Sequence, residues 1–189
     1  MNNLFPIFLK LHQLNTLIVG GGNVGLEKLE AVLSNSPEAN VTIVSPVFKT
    51  EIEEMAHSFP KLKMITRNFE WDDLNNIDIL ICATDNKALH KTIFQIAKRR
   101  KILINVADTP DLCDFYLSSV VKKGDLKIAI STNGKSPTFA KRLKEYLNEV
   151  LDSDDINELL GNLTAFRAKL KGDFGQKVKE LNKITQTLS

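Results

Sequence analysis

The chain has 189 residues, 43% of them hydrophobic and 25% charged, which is enough to bury the core of one full domain and a smaller one. A formal net charge of +2 is too small to indicate a nucleic-acid binder, and no stretch reaches the roughly 18 uncharged apolar residues of a membrane span. The start lacks a signal-peptide pattern and there are only two cysteines, so we expect a cytoplasmic protein with free thiols and neither a membrane nor a nucleic-acid partner.

The first predicted strand, over residues 16–19, runs directly into a glycine-rich turn, GGGNVG. This turn contains a GxGxxG motif, in which the glycines permit a tight turn, close approach of the backbone to a pyrophosphate, and close packing of helix on strand. An apolar pattern over residues 23–34 then predicts a helix. The order of strand, turn and helix predicts a dinucleotide site, with a purely structural glycine loop as the alternative. The candidate cofactor contacts in this turn are Gly20, Gly22, Asn23, Val24 and Gly25.

Beyond this turn, apolar strand patterns alternate with helical patterns. Further strands are predicted over 41–44, 62–66, 78–82 and 102–106, and further helices over 48–59 and 89–97. This alternation predicts an α/β protein with a Rossmann-like parallel sheet and helices on both faces. Ligands of such sheets bind at the carboxyl ends of the strands, so the residues just past each strand are the ones to consider.

The residues after the second strand bear on the choice of cofactor. An NAD site commonly carries Asp or Glu there for the ribose hydroxyls, and an NADP site often has a nearby Arg. This chain has Ser45 and Pro46 instead. Ser45 can form one hydrogen bond to a ribose, which is compatible with NAD but discriminates little against NADP, and we expect NAD. The alternative for Ser45 is a turn residue ahead of a proline.

Thr84 and Asp85 follow the fourth predicted strand, where such folds often contact the cofactor. We expect both to belong to the cofactor site, and Thr84 more directly. For Asp85, capping of the following helix is an equal alternative, because Asp is a preferred cap residue.

The last third of the chain changes character. Apolar runs over 115–121 and 126–131 flank a short polar turn and predict a hairpin, which we expect to add antiparallel strands to the parallel sheet. Ser136 and Pro137 then have the types of a helix cap and a first helical residue. Apolar stripes over 156–170 and 178–188 predict a helical tail that packs against the same chain or a partner.

Five segments together resemble the precorrin-2 dehydrogenase (siroheme synthase) family: FPIFLKL, VGGGNVGLEKL, CATDN, INVADTPDLCDF and IAISTNGKSP. The resemblance covers residues 4–145. It implies NAD-dependent oxidation of a tetrapyrrole, precorrin-2, to sirohydrochlorin by a homodimer, and in some members also insertion of ferrous iron. On this basis we expect a cofactor domain over 1–112, a dimerisation and substrate-binding region over 113–146, and a helical C-terminal domain over 147–189.

The resemblance places the catalytic candidate at Asp108, and its position just after a predicted strand is independently suitable for a general acid or base. The alternative is that Asp108 only stabilises the Asp-Thr-Pro turn. A second candidate patch, for the substrate carboxylates, lies at a helix start where backbone N–H groups and a lysine attract anions. Its members are Asn133, Gly134, Lys135 and Ser136, with a simple helix cap as the alternative.

No metal site is expected, because His12, His57 and His90 are scattered without the spacing of ligands, and each is interpreted as a surface or packing residue. A function of another class, an NAD-sensing module without chemistry, would account for the glycine turn and the helical tail. It gives no use to Asp108 or to the STNGKSP segment.

Overall fold

A computed structural model describes residues 2–185 of the chain. They form two compact units, one comprising Asn3–Leu117 and the other beginning at Ser118. The three-domain division expected from the sequence stays a prediction. None of the described helices has the length and hydropathy needed to cross a membrane.

The first unit is built on a five-stranded parallel sheet, as predicted. In chain order its strands are β1 (Asn15–Val19), β2 (Asn40–Ser45), β3 (Leu62–Thr66), β4 (Ile79–Cys82) and β5 (Leu103–Val106). Their order in the sheet is β3-β2-β1-β4-β5, so β2 and β3 lie on one side of β1 whereas β4 and β5 lie on the other. The strand order therefore reverses between β1 and β4. Val19 is in register with both Val44 and Cys82, which brings the carboxyl ends of three strands level with one another. A Rossmann fold binds its ligand at this reversal.

Helices cover both faces of the sheet. They are α1 (Asn23–Asn35), α2 (Thr50–Ser58) and α3 (Lys87–Arg100). Consecutive residues of β1 enter different cores: Leu17 and Val19 pack with α3, whereas Ile18 packs with α1 and α2. Side chains of a strand alternate between faces, so a strand covered on both sides must be apolar throughout, which explains the unbroken apolar run of β1.

The predicted helix over 48–59 is shorter in the structure. Lys49 and Phe59 have extended backbone conformations at the two ends of α2. Phe48 and Phe59 nevertheless pack against the same buried cluster as Ile52. The apolar spacing therefore predicted correctly that Phe48 and Phe59 pack against the core, although neither residue is helical.

The second unit contains its own small sheet. A tight turn at Gly124 joins β6 (Ser119–Lys123) and β7 (Leu126–Ile130), which pair antiparallel. This pair hydrogen-bonds to no strand of the parallel sheet, so the expectation that it extends that sheet is wrong. The helix α4 (Pro137–Val150) packs on the hairpin, and Lys123 Nζ donates a hydrogen bond to the Asn148 carbonyl at 2.9 Å. The hairpin buries its apolar face against a helix of its own unit, and this removes the need to join the larger sheet.

Up to residue 185 the second unit contains three helices: α4 is followed by α5 (Ser153–Lys169) and α6 (Phe174–Thr185). Ser136 is the N-cap of α4, with its Oγ accepting from the Phe139 N–H at 3.2 Å, and Pro137 takes the first helical position, as predicted. Asp152 caps α5 in the same way. The last residue of the predicted second stripe, Leu188, lies outside the described residues.

The connection from β3 to β4 is held by an ion pair. The Arg67 guanidinium binds both carboxylate oxygens of Asp73, at 2.8 and 2.6 Å, and Asp73 also accepts from the Glu70 N–H at 2.9 Å. The Asp73 side chain is only 7% exposed. Hydrogen bonds from Arg67 hold the pKa of Asp73 below its ordinary value. This pair fixes the position of the intervening Asn68–Phe69 segment.

We expect Asp73→Asn to lower the free energy of unfolding by about 1–2 kcal/mol at pH 7, since charge-assisted hydrogen bonds are lost. A carboxyl group with a depressed folded pKa stabilises the protein above its unfolded pKa, and this stabilisation is lost as the pH falls through the folded pKa. The difference between wild type and variant should therefore shrink below about pH 4. Urea unfolding at several pH values measures it. Asp72→Asn, on the neighbouring exposed carboxylate, is the matched control and should have little effect at any pH.

Candidate functional site

The glycine turn after β1 is shaped by contacts that leave no room for side chains. Gly20 has φ +116°, and a Cβ there would collide with the Ala83 carbonyl after β4. A Cβ on Gly25 would collide with the Gly20 carbonyl, because α1 lies directly against the turn. A Cβ on Gly21 would lie 2.6 Å from the Val47 carbonyl oxygen. The turn therefore joins three strand ends through backbone contacts.

Gly22, by contrast, faces open space. No atom lies within 4 Å of the position its Cβ would take, and it is the N-cap of α1 without a side-chain hydrogen bond. The first N–H groups of a helix have no intrahelical acceptor, and the helix dipole makes this end positive. The open backbone at Gly22, Asn23 and Val24 is therefore suited to an anion such as a pyrophosphate.

A cleft of about 460 Å³ lies at this edge of the sheet. The cleft is lined by four segments at the carboxyl ends of strands. These are the glycine turn after β1, the end of β2, the residues after β3 and the residues after β4. Its lining residues are Val19, Gly20, Gly21, Gly22, Asn23, Val24, Val44, Ser45, Pro46, Asn68, Phe69, Ala83, Thr84, Asp85, Asn86 and Leu89.

The cleft contains all the residues expected at the cofactor except Gly25, which packs under the turn instead. Their contact with a cofactor stays a prediction. The sequence reasoning missed Asn68 and Phe69. They follow β3, so the rule that picked out the other strand ends would have found them had it been applied there.

The end of β2 carries no carboxylate. Ser45 is buried, and its Oγ donates to the Val47 carbonyl at 2.7 Å. Ser45 therefore stabilises the turn before Val47, which was the alternative role for it. Its hydroxyl oxygen can still accept a hydrogen bond from a ligand. Lys49 lies just beyond, with Nζ 2.9 Å from Asn23 Oδ1 and 3.2 Å from Glu51 Oε1. These contacts place a cation beside the start of α1.

The segment after β4 differs from expectation in its cap. Asn86, not Asp85, caps α3, because Asn86 Oδ1 accepts from the Leu89 N–H at 3.0 Å. The capping alternative for Asp85 is therefore wrong. Thr84 Oγ1 lies 2.8 Å from Nε2 of the buried His90, and burial lowers the pKa of this histidine.

Asp108 lies in the turn after β5 with φ 55°, a left-handed conformation that Asp tolerates better than most residues. Its side chain is exposed and forms no hydrogen bond or ion pair with any residue in the described part of the chain. No hydrogen bond among residues 2–185 therefore supports the alternative that the Asp108 carboxylate stabilises the Asp-Thr-Pro turn. Asp108 is not among the residues that line the cleft.

Other side chains hold the Asp108 loop. Cys113 Sγ donates to the Val106 carbonyl at 3.2 Å and accepts from the Val106 N–H at 3.3 Å, so it closes the loop at its base. Asp114 accepts from the Ile104 N–H at 3.2 Å and pairs with Lys98 at 2.5 Å. Burial raises the pKa of the Cys113 thiol, and that of Cys82 to about 12, so both remain protonated.

In the second unit, the four predicted substrate residues form one turn at the start of α4. Asn133 and Gly134 both have positive φ, and the Lys135 N–H donates to the Thr132 carbonyl at 3.1 Å, which closes the turn. Lys135 is exposed. The helix-cap role of Ser136 is real, yet its hydroxyl proton remains available to a ligand.

Within residues 2–185, no three His, Cys, Asp or Glu side chains are grouped so that they could hold a metal ion. His12 and His57 are exposed, whereas His90 is buried in the first unit.

Two alanine substitutions separate the structural role of the glycine turn from its proposed role in nucleotide binding. Gly25→Ala should lower stability by about 1–3 kcal/mol, since its Cβ must displace backbone. Gly22→Ala should leave the thermal midpoint nearly unchanged and weaken nucleotide binding, because its Cβ would occupy the space above the start of α1. Calorimetry measures both quantities. Gly161→Ala, in the middle of α5 and also facing open space, is the control and should retain nucleotide affinity.

Comparisons with known proteins agree on one family. An NAD(P)-binding family model matches residues 7–119, and the model of the sirohaem biosynthesis protein central region matches residues 123–149. The chain is 33% identical to the precorrin-2 dehydrogenase of Bacillus subtilis over 156 residues, covering 82% of this chain and 94% of that protein. It is 37% identical to the siroheme synthase of Pseudoalteromonas translucida over 89% of this chain.

The chain spans about a third of the length of the siroheme synthases that it matches, 35% in the Pseudoalteromonas protein. A solved structure of SirC, a precorrin-2 dehydrogenase, superposes with a TM-score of 0.77 and 25% identity, covering 97% of this chain and 90% of that one.

Proposed function

The chain belongs to the precorrin-2 dehydrogenase family, and from this premise we propose that it oxidises precorrin-2 to sirohydrochlorin with NAD as the hydride acceptor. The observation that carries the proposal is the match to a dehydrogenase of nearly the same length, which covers 94% of that protein. The open cleft at the glycine turn supports it, because it offers a place for the nicotinamide cofactor that the family binds.

The residues of this cleft would hold the dinucleotide. The backbone at Gly22, Asn23 and Val24 would bind the pyrophosphate, with Gly20 and Gly25 shaping the turn. Ser45 and Pro46 would contact the adenosine ribose, and Thr84 and Asp85 the other half of the cofactor. The bound nicotinamide supplies the hydride acceptor. We prefer NAD to NADP, because Ser45 Oγ is left as an acceptor that a ribose hydroxyl can donate to.

Asp108 is the proposed catalytic residue. Oxidation removes a hydride and a proton from the substrate, and the Asp108 carboxylate accepts the proton as a general base. Its exposure and its lack of a bonding partner among residues 2–185 support this role, because nothing in the loop competes for its oxygens. Cys113 and Asp114 keep the loop in place without contributing to the chemistry.

The turn formed by residues 133–136 is proposed to bind carboxylates of the tetrapyrrole. It combines the exposed ammonium of Lys135 with the positive end of the α4 dipole. Ser136 Oγ accepts from the Phe139 N–H and so fixes the start of this helix before a ligand arrives.

We propose that the chain acts as a cytoplasmic homodimer. In support of the dimer, Phe139, Tyr146 and Val150 are each about 60% exposed on α4, at spacings that place them on one side of the helix. In support of the compartment, Cys82 and Cys113 are free thiols. Sedimentation equilibrium should give the mass of two chains, and a monomer would contradict this part of the proposal.

The deciding assay supplies precorrin-2 anaerobically with NAD and follows NADH and sirohydrochlorin by absorbance. Turnover with NAD and slower turnover with NADP is the expected result. Folded protein that binds NAD without turnover would support the sensing module instead. Adding ferrous iron to the product tests the second activity of the family, in which the iron is a substrate.

Asp108→Ala should lower kcat by about 10²–10⁴-fold, since it removes the proton acceptor, and leave the dissociation constant of NAD within about twofold. Steady-state kinetics and titration calorimetry measure the two quantities. Asp111→Ala, on an exposed carboxylate of the same loop, is the matched control. Unchanged kcat in Asp108→Ala would remove Asp108 from the chemistry.

Lys135→Glu should raise KM for precorrin-2 about tenfold with little change in kcat, because it replaces an attraction to carboxylates by a repulsion. The effect should weaken at high salt. Lys169→Glu, an exposed charge reversal on α5, controls for net charge. An unchanged substrate affinity in Lys135→Glu would remove Lys135 from the site.

A further inference from the structure

One buried titratable side chain of the first unit has no place in the function proposed above. His90 lies in the first turn of α3 and is 4% exposed. Histidine carries polar nitrogens on both sides of its ring, so its burial has to be compensated by hydrogen bonds. Its Nε2 lies 2.8 Å from Thr84 Oγ1, a hydroxyl at the edge of the cleft.

Thr84 is fixed from three directions. Its Oγ1 accepts a hydrogen bond from the Asn86 N–H at 3.3 Å. Its methyl group lies beside the glycine turn, 3.2 Å from the place a Cβ on Gly20 would occupy. His90 provides the third contact, from beneath. The side chain is thus held in place, and the direction of its hydroxyl proton depends on the histidine.

We propose that His90 is a positioning residue that orients the Thr84 hydroxyl toward the nicotinamide half of the bound dinucleotide. The inference rests on the cofactor binding proposed above. It concerns binding of the dinucleotide and not the proton transfer assigned to Asp108.

The tautomer of His90 determines whether Thr84 Oγ1 donates or accepts a hydrogen bond in the cleft. When Nε2 carries the proton, Thr84 Oγ1 accepts from both Nε2–H and the Asn86 N–H, and its own proton is free to donate to a cofactor oxygen. When Nδ1 carries the proton, the hydroxyl donates to Nε2 and can only accept from the cofactor. The state of the ring thus decides whether Thr84 is a donor or an acceptor.

His90 is neutral at neutral pH. Burial lowers its pKa, and the nearby Asp85 carboxylate opposes this shift by favouring the charged form. A neutral ring can take either tautomer, so the binding of an oxygen that only accepts, such as that of a phosphate or an amide, selects the tautomer with the proton on Nε2.

The position of Thr84 indicates which half of the cofactor is affected. In a Rossmann site the pyrophosphate lies at the first glycine turn and the adenosine ribose at the end of the second strand. Thr84 follows β4, on the other side of β1 from β2. ADP, which lacks the nicotinamide half, should therefore bind without using Thr84.

The test compares NAD and ADP binding by titration calorimetry in His90→Ala, Thr84→Val and the double variant. Loss of one hydrogen bond to the ligand corresponds to about a 3- to 10-fold weaker affinity. We expect this loss for NAD in each single variant, no further loss in the double variant, and ADP affinity within about twofold of wild type throughout. Thr84→Ser, which keeps the hydroxyl, should bind NAD nearly as wild type does.

The matched control is His57→Ala, on an exposed histidine of α2, which should change neither affinity. If His90→Ala does not fold, His90→Leu replaces it, since Leu keeps most of the volume without a hydrogen-bonding group, and it should show the same loss of NAD affinity. His90→Gln, which keeps a terminal N–H, should restore NAD affinity to near the wild-type value. Equal weakening of NAD and ADP, unchanged NAD affinity in His90→Ala, or additive losses in the double variant would each overturn the proposal. If wild type binds ADP but not NAD, the cofactor proposal fails and the role of His90 fails with it.

Discussion

The first unit depends on the close approach of backbone to backbone at the glycine turn after β1. Gly20 lies against the end of β4, Gly25 lies against Gly20, and Gly21 lies against the segment after β2. Three strand ends can meet at one point only because no Cβ separates them. The cleft, the open start of α1 and the place of Thr84 all follow from this approach. A side chain at Gly20 or Gly25 would separate the elements that form the site.

The candidate chemistry lies on segments held by interactions that take no part in it. The Asp108 loop is closed by Cys113 and Asp114, which both bond to the backbone of β5, and Asp114 also pairs with Lys98. The Arg67–Asp73 ion pair similarly fixes Asn68 and Phe69. Asp73 and Cys113 are half-buried, and their polar atoms are acceptable there because each has a hydrogen-bond partner. This division leaves the Asp108 carboxylate without a partner among residues 2–185 and leaves open space beside Gly22, so that both can meet ligands.

The two units offer different groups for binding ligands. The first offers a cleft with backbone donors, suited to a dinucleotide, and the second offers an exposed turn with Lys135 at a helix start, suited to carboxylates. The two family models divide at nearly the same place, the NAD(P)-binding model matching residues 7–119 and the sirohaem biosynthesis model matching 123–149. The proposed reaction uses both kinds of recognition, the first for the cofactor and the second for the substrate carboxylates.

The sequence by itself determined the parallel sheet, the glycine turn, the Ser136 cap and the family, because periodicity, cap residues and motif order are local properties of the chain. The folded structure decided what periodicity and residue type leave open. The hairpin forms its own sheet since α4 covers it, Asn86 caps α3 in place of Asp85, and Gly25 supports the turn from below. His90 is the clearest case: its spacing marked it as one more packing residue, and only the folding of α3 back onto the end of β4 brings its ring to Thr84.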